Sequence, residues 1–162
     1  MVRLAKILLI ALVALWGLIG VAGNLSHLQI AYDAVESVTL MPTFPADAAP
    51  PWRTDSPVVV WLGVLLIVSG KIAAAILCGY GAVVMMKNRK AESAAFQHAK
   101  QYGLVGCALA VAMLFGGFTI IGETLYAMFR HPEHVAAGAA AFRYGGFIAL
   151  IMIFVGQPDP DR

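Results

Sequence analysis

The sequence predicts an all-α protein, a four-helix transmembrane bundle, and three observations carry this prediction. Hydrophobic residues make up 60% of the 162 residues and charged residues only 12%. The mean hydropathy of +0.81 lies outside the range of soluble globular proteins. Four apolar runs are long enough to cross a hydrocarbon core of ~30 Å at ~1.5 Å per residue. None of them shows the alternation of apolar and polar side chains that a membrane β-barrel needs.

The apolar runs place the whole chain, 1–162, in a single membrane domain. We expect spans at about 4–24, 58–86, 103–129 and 136–156, with loops at 25–57 and 87–102. The basic start of the first run is also typical of a cleaved signal peptide. Its apolar length from Ile7 to Gly23 exceeds the ~7 to 15 residues of a signal-peptide core, which favours a retained helix. Cleavage of residues 1–23 stays open at this point.

Charge in the loops predicts the orientation. The 87–102 loop carries four Lys or Arg against one Glu, whereas the 25–57 loop carries one Arg against four Asp or Glu. Short loops rich in Lys and Arg stay on the cytoplasmic side of a bacterial inner membrane. We therefore expect the basic loop and both termini in the cytoplasm and the acidic loop outside. The formal net charge of only +2 gives no sign of nucleic-acid binding.

The long outer loop begins with an amphipathic helix. Within residues 26–40, apolar side chains such as Leu28 and Val35 recur at helical spacing. Ser26 followed by Gln29 fits a capping box at the start of this helix. The helix either lies in the headgroup plane, or continues the first span outward, or binds a partner.

The rest of this loop, "MPTFPADAAPPWRTDSP", contains five prolines and cannot continue a helix or a central strand. We expect it to pack on the outer face of the bundle, where aromatic rings favour the membrane interface. Its candidate contact residues are Trp52 and Arg53, together with Tyr126 near the end of the third span.

Three ionisable side chains fall inside the predicted spans and form a candidate buried charge cluster. Lys71 lies about fourteen residues into the second span, where a charged residue costs ~2.5–3.5 kcal/mol. Glu123 lies about six residues inside the outer end of the third span, and Arg143 about seven inside that of the fourth. Because these depths are similar and a guanidinium matches a carboxylate fork, we expect a Glu123–Arg143 pair with Lys71 nearby.

Two cations around one carboxylate leave an extra positive charge at Lys71. Either Lys71 is uncharged, or a carbonyl group, an anionic ligand or a partner's carboxylate satisfies it. The cluster then either fixes helix register and assembly or forms a pathway for protons, ions or an anionic solute. A third alternative is a lysine that only snorkels.

The sequence lacks the patterns of a soluble enzyme or a cofactor protein. It has no glycine-rich phosphate loop, no nucleophile elbow and no zinc-protease motif, and no histidine within a span for haem ligation. Cys78 and Cys107 fall inside spans, and we interpret them as small packing residues. His131, Glu133 and His134 have metal-ligand chemistry, but on a short turn beside a proline we interpret them as a hydrated rim. We expect no catalytic residue, no cofactor and no metal.

A stripe of small residues on the fourth span indicates a close helix contact. Its members are Ala137, Ala141, Gly145 and Ala149, and it faces either a partner subunit or the first span. The leading hypothesis is a non-catalytic accessory or assembly subunit of a larger membrane complex, docked through this stripe and the outer loop. The alternative is a small homo-oligomeric transporter or ion- or proton-conducting protein that uses the buried charge cluster. A membrane enzyme or quinone-site protein comes third.

Four segments occur in the order "TFPADAAPPWRTDSP", "FQHAK", "GGFTIIGETLYAMF" and "AAFRYGG". With them the chain resembles a bacterial domain-of-unknown-function family described as predicted small integral membrane proteins. The likeness covers about residues 3–156, and its most specific marks are Gly122 with Glu123, Trp52 with Arg53, and Ala141 to Arg143. The resemblance implies a four-span inner-membrane protein and supplies no activity. The family pattern commonly has a carboxylate near the position of Lys71, so a function carried by that group does not transfer to this chain.

Overall fold

The computed structural model describes residues 1–159, and its regular elements over that range are all helical. The elements are α1 (Val2–Ser26), α2 (Leu28–Thr39), α3 (Pro57–Lys87), α4 (Ser93–Ala99), α5 (Gln101–Val111), a π-helical segment (Ala112–Leu125), a 3₁₀ turn (Met128–Arg130) and α6 (Pro132–Gly156). Four stretches are long and apolar enough to cross a membrane: α1, α3, the run from α4 through the π segment, and α6. The predicted all-α class with four membrane-length helices is therefore confirmed.

The bundle has two chemically different ends. The N-terminus, the α3–α5 connection and the residues after α6 meet at one end, which we call the terminal end. At this end Lys6 of α1 lies 3.1 Å from the carboxylate of Asp159. The other end, which we call the cap end, consists of α2, the loop 40–56 and the turn before α6. The chain crosses between these two ends four times.

The helices of the terminal half cross closely. Where α3 meets α5, a Cβ on Gly81 would lie 2.5 Å from the backbone nitrogen of Gly103. One turn away, a Cβ on Gly106 would lie 2.6 Å from the sulfur of Cys78. Cys78 and Cys107 are free, buried thiols with their sulfur atoms 3.9 Å apart. Both cysteines fill a crossing that larger side chains would force open, in agreement with their interpretation as packing residues.

α2 folds back over the cap half and packs on α3. The ring of Tyr32 lies 5.2 Å, centroid to centroid, from that of Trp61. A Cβ on Gly63 would lie 2.7 Å from a methyl group of Val35, so the absence of a side chain at Gly63 lets α2 approach. The amphipathic helix therefore uses its apolar face against the bundle.

The start of α2 differs from the prediction. α1 continues through Ser26, so this residue is helical and cannot adopt the extended conformation of an N-cap. α2 begins at Leu28 with no side-chain cap. Gln29 instead donates a hydrogen bond to the carboxylate of Asp33, 2.7 Å away and one turn further along. The predicted capping box is therefore wrong.

The third span changes helix type midway. After α5 it continues as a π-helical segment of 14 residues. At its far end the backbone amide of Tyr126 donates to the backbone carbonyl of Ile121, five residues earlier, at 3.0 Å. The side-chain hydroxyl of Thr124 also donates to the backbone carbonyl of Thr119, at 3.0 Å. π-helical turns are usually single and occur often at functional sites. A segment of this length makes the third span wider in the cap half than in the terminal half.

The small-residue stripe of α6 faces into the bundle at two of its four positions. Ala141 is 3% exposed, and a Cβ on the buried Gly145 would lie 3.5 Å from Leu114 of the π segment. Ala149 is half-buried and Ala137 is exposed. The stripe therefore serves internal packing in the middle of α6, which leaves less of it for a partner subunit.

Candidate functional site

Lys71 lies in α3 with its side chain directed toward the cap end. Its backbone carbonyl would lie 2.8 Å from a Cβ on Gly17 of α1, which marks a close α1–α3 crossing. Its methylene carbons run along Gly20, one turn further toward the cap, where a Cβ would lie 3.0 Å from Cδ. The ammonium then donates a hydrogen bond to Oδ1 of Asn24 at 3.2 Å. The side chain of Lys71 thus extends past Gly20 to a polar side chain near the end of α1.

The predicted partners of Lys71 do not join it. Within residues 1–159 the ion pairs all involve Asp159, so neither Glu123 nor Arg143 forms one. The carboxylate of Glu123 packs directly against Gly138 of α6, whereas Arg143 is exposed on another side of that helix. The three residues therefore do not form a cluster of ion pairs, and the role of each stays a prediction.

The register of two helix ends explains why the Glu123–Arg143 pair is missing. The third span ends at Leu125, four residues before its predicted end, and Ala127 turns the chain with a left-handed backbone, φ 51°. α6 begins at Pro132, four residues before its predicted start. These shifts move Glu123 toward the cap end and Arg143 toward the middle of the bundle. A pair predicted from equal depth therefore cannot form.

Lys71 lines two cavities in the cap half. The cap cavity has a volume of about 470 Å³ and lies between α2, α3, the π segment and the start of α6. Its walls are mainly apolar and include Val35, Val38, Leu66, Ile67, Phe118 and Ile121. The lateral cavity, about 430 Å³, lies between α1, α3, the π segment and α6. The residues that line both are Lys71, Phe118 and Ala137, and neither lining contains Asp or Glu.

The polar groups of the cap cavity lie at its two ends. Lys71 and Asn24 are at the α1 side, while Thr39, Tyr126 and His134 lie toward the cap. Nε2 of His134 is 2.8 Å from the hydroxyl of Ser37, and this hydrogen bond ties α2 to the start of α6.

The three predicted contact residues of the outer face have different surroundings. The indole N–H of Trp52 donates to the backbone carbonyl of Leu125 at 2.8 Å, while its side chain stays 46% exposed. Tyr126, the next residue after Leu125, is half-buried and lines the cap cavity. Arg53 is exposed. Trp52 therefore fastens the proline-rich loop to the end of the third span beside Tyr126, and Arg53 extends from that junction.

The chain also has a charged site that sequence reasoning missed, at the terminal end. Lys6, Lys100 and Asp159, which we call the terminal triad, have side chains between 0% and 2% exposed. Oδ2 of Asp159 is paired with Lys100 and lies 3.1 Å from the ammonium of Lys6. Both lysines also donate to the backbone carbonyl of Gln157, at 2.7 and 2.9 Å. The triad ties α1, the junction between α4 and α5, and the segment after α6 together.

Asp159 is held in its ionised form within this triad. Burial opposes ionisation, but the hydrogen bonds and positive charges of Lys100 and Lys6 outweigh it and keep the pKa of Asp159 below its usual range. The ring of Phe96, fully buried on the unpredicted helix α4, lies 4.7 Å from the guanidinium of Arg3 and 5.3 Å from the ammonium of Lys100. These cation–π contacts stabilise part of the positive charge that the single carboxylate does not neutralise.

The sequence contains one pattern that indicates burial of the basic residues of α1. Arg3, Lys6, Ile10, Val13 and Gly17 recur at spacings of three and four residues, and all five are buried. This is the spacing of a single helix face. The basic start of the first span is typical of a signal peptide, but within this pattern Arg3 and Lys6 have the positions of core residues.

No group of three or more His, Cys, Asp or Glu side chains that could hold a metal ion was found among residues 1–159. The rings of His131 and His134 lie 4.7 Å apart, centroid to centroid. With the Ser37 hydrogen bond at His134, this pair belongs to the packing of the cap.

Comparison with known proteins adds the family. No curated protein and no solved structure matches the chain. A family model described as predicted small integral membrane protein, DUF2165, matches residues 2–158. That range includes four helices of membrane-spanning length, so the protein is a multi-pass integral membrane protein, and the resemblance seen in its motifs is confirmed. The chain belongs to the DUF2165 family of predicted small integral membrane proteins.

Proposed function

We propose that this protein is a non-catalytic accessory or assembly subunit that binds another membrane protein through the face of α6 that carries Arg143. The observation that supports the proposal is the position of this residue. It lies eleven residues from Pro132 in a 25-residue helix, is exposed, and has no ion pair within the part of the chain that the structure describes. A charge at the centre of a membrane helix costs ~2.5–3.5 kcal/mol. A partner that satisfies Arg143 removes this cost.

The surroundings of Arg143 indicate what the partner offers. Ala139 and Gly146 flank it at helical spacing, and a Cβ on Gly146 would meet no atom within 4 Å, so a second helix has room to approach. Phe142 and Phe147 add apolar surface and are 72% and 68% exposed. A carboxylate is the best match for a guanidinium in a medium without water. The proposed partner therefore carries an Asp or Glu in one of its membrane helices.

The cap end supplies a second contact in this proposal, through Trp52, Arg53 and Tyr126. The proposed location is the bacterial inner membrane with both termini in the cytoplasm. The terminal end has the basic loop and the cap end the acidic one, which is the distribution that sets orientation. A fluorescent protein that matures only in the cytoplasm, fused to the C-terminus, tests this orientation.

Co-purification from the native membrane tests the subunit proposal. The tagged protein is extracted in mild detergent, and stoichiometric partners are identified by mass spectrometry. We expect a foreign membrane protein with wild type and with Lys90→Gln, an exposed loop control, and at least a tenfold lower yield with Arg143→Gln, the loss expected for a charge-assisted pair worth ~1.5–3 kcal/mol. Glu123→Ala tests whether the carboxylate packed on α6 contributes. A clean homo-oligomer, or an equal partner yield with Arg143→Gln, would exclude the proposal.

One observation favours a second candidate, a small homo-oligomeric transporter or an ion- or proton-conducting protein. Lys71 lines both cavities of the cap half, while the terminal triad closes the opposite end. A pathway along the bundle would pass Lys71 and require the triad to open. Purified protein in liposomes should then show flux that Lys71→Met abolishes while the helix content and melting temperature stay unchanged. Liposomes without flux for wild type would exclude this candidate.

A further inference from the structure

We infer that the cap cavity binds a single-chain amphiphile with an anionic head, of the fatty-acid class, and that the head lies on the ammonium of Lys71. The inference depends on neither of the functions proposed above. It assigns a ligand class to a cavity whose lining combines apolar walls with one cationic group.

The size and the walls of the cavity indicate an elongated apolar ligand. Its volume of about 470 Å³ falls within the ~300–1,000 Å³ of small-molecule sites, which accommodates one acyl chain more readily than the two of a phospholipid. Along α3 the lining extends from Val59 to Lys71, or ~18 Å of helix at ~1.5 Å per residue. The apolar face of α2, with Ala34, Val35 and Val38, forms the facing wall along part of this length.

The chemistry at Lys71 indicates an anionic head. An ammonium donates three hydrogen bonds, and within residues 1–159 Lys71 makes a single one, to Oδ1 of Asn24. Because Oδ1 accepts from Lys71, the amide nitrogen of Asn24 keeps its own two donors. Among the residues that the structure describes, no carboxylate lines the cavity. A carboxylate head would accept from both side chains and neutralise the charge, whereas an uncharged head would leave the ammonium without a counter-charge.

The lateral cavity provides the route by which such a ligand enters from the bilayer. It lies between α1 and α6 and shares Lys71, Phe118 and Ala137 with the cap cavity. Gly20 lies on this route and leaves space for the stem of Lys71. The chain therefore enters first from the lipid side and passes into the space under α2, and the head stops at the ammonium where the two cavities meet.

Photo-labelling tests the inference on the full chain. The protein is placed in nanodiscs of phosphatidylcholine, incubated with a sixteen-carbon fatty acid that carries a diazirine on its chain, irradiated and mapped by mass spectrometry. We expect saturable labelling of cap-cavity residues such as Val35, Leu66 and Phe118, with competition by palmitate but not by hexadecanol. Lys71→Met should weaken this labelling about tenfold or more, as the loss of a charge-assisted hydrogen bond does, and Lys71→Arg should restore part of it.

A matched pair of variants tests the inference by blocking the cavity while the charge of Lys71 is kept. Ala137 lines both cavities, whereas Ala139 is exposed on the same helix and lines neither. Ala137→Phe should abolish labelling and Ala139→Phe should leave it unchanged, with equal melting temperatures for the two.

The competitors identify the source of the head group. Competition by palmitate alone assigns a free carboxylate, and equal competition by lysophosphatidic acid assigns any single-chain anion. Hexadecanol competing as well as palmitate, labels confined to the lipid-facing surface, or unchanged labelling of Lys71→Met would overturn the inference.

Discussion

At the terminal end two lysines and a carboxylate are buried and paired, whereas in the cap half Lys71 and Arg143 form no ion pair within residues 1–159. The two halves also differ in how closely their helices pack. The backbones of Gly81 and Gly103 touch in the terminal half, but the cap half contains partly open cavities of about 470 and 430 Å³. At the terminal end a carboxylate pairs with two of the three buried cations, and the third, Arg3, donates to the backbone carbonyls of Arg89 and Ala91. Within residues 1–159 no carboxylate pairs with Lys71 or Arg143 in the cap half. The terminal half therefore has the ion pairs and close packing of a structural region, and the cap half has the cavities and the cations on which the proposals above depend.

The physical basis of this division is the cost of an unpaired charge away from water. A buried pair with good geometry holds its helices in one arrangement, because separating it leaves a charge without compensation. A cation in a membrane span that has no counter-charge within residues 1–159 either extends to a polar group, as Lys71 does to Asn24, or is satisfied by a ligand or a partner. The predictions below test each half against this account.

The largest effect is expected from Asp159→Asn. This change leaves the buried ammonium groups of Lys6 and Lys100 without their carboxylate, and removing one partner of a buried pair costs ~3–5 kcal/mol. Thermal unfolding in detergent should therefore shift to a markedly lower temperature. Asp47→Asn, at an exposed position of the cap loop, serves as the control, and equal melting temperatures for the two variants would contradict the structural role of the triad.

Acid should act on the same group, with a smaller effect over the accessible pH range. Because the folded protein holds the pKa of Asp159 below its usual range, the triad's stabilisation is fully present above the unfolded value of ~3.9. It is lost as the pH falls through the lower folded value. Melting temperatures measured across acidic pH should show this decline in wild type and a flatter profile in Asp159→Asn. Identical profiles for the two proteins would show that protonation of Asp159 does not cause the loss of stability in acid.

Close packing is tested by an alanine at two glycines, one in each half. Gly81→Ala places a Cβ against the backbone of Gly103, which cannot move aside as a side chain can, and overpacking of this kind costs ~1–3 kcal/mol. Gly116→Ala in the π segment meets no atom within 4 Å and should change stability little. Unfolding in increasing denaturing detergent compares the two. A greater loss for Gly116→Ala would reverse the proposed difference between the halves.

The smallest effect is expected at the cap loop. Trp52→Phe removes the hydrogen bond to the carbonyl of Leu125 but keeps an aromatic ring, so the loss is ~0.5–1.5 kcal/mol and local. Hydrogen exchange should become faster within the loop 40–56, while the terminal half and the melting temperature stay as in wild type. Arg53→Gln, an exposed neighbour, should leave exchange unchanged. Faster exchange across the whole bundle would show that the cap and the terminal half do not behave independently.

The sequence by itself determined the class, the four spans and the family. Hydropathy, length and loop composition are local properties, so the helices appeared within a few residues of their predicted bounds, and the amphipathic helix and the internal cysteines had the expected character. Trp52 donates to the carbonyl of Leu125, the residue before Tyr126, while the role of Trp52, Arg53 and Tyr126 as contact residues stays a prediction.

Only the tertiary structure decided which charges meet. Helix ends that lie four residues from their predicted positions separated Glu123 from Arg143, since each residue moves a side chain along the axis and around it. The π segment and the fold of α2 over α3 created the cavities beside Lys71, and neither leaves a pattern in hydropathy. Asp159 meets Lys6 across almost the full length of the chain, and a contact between such distant residues is set by packing.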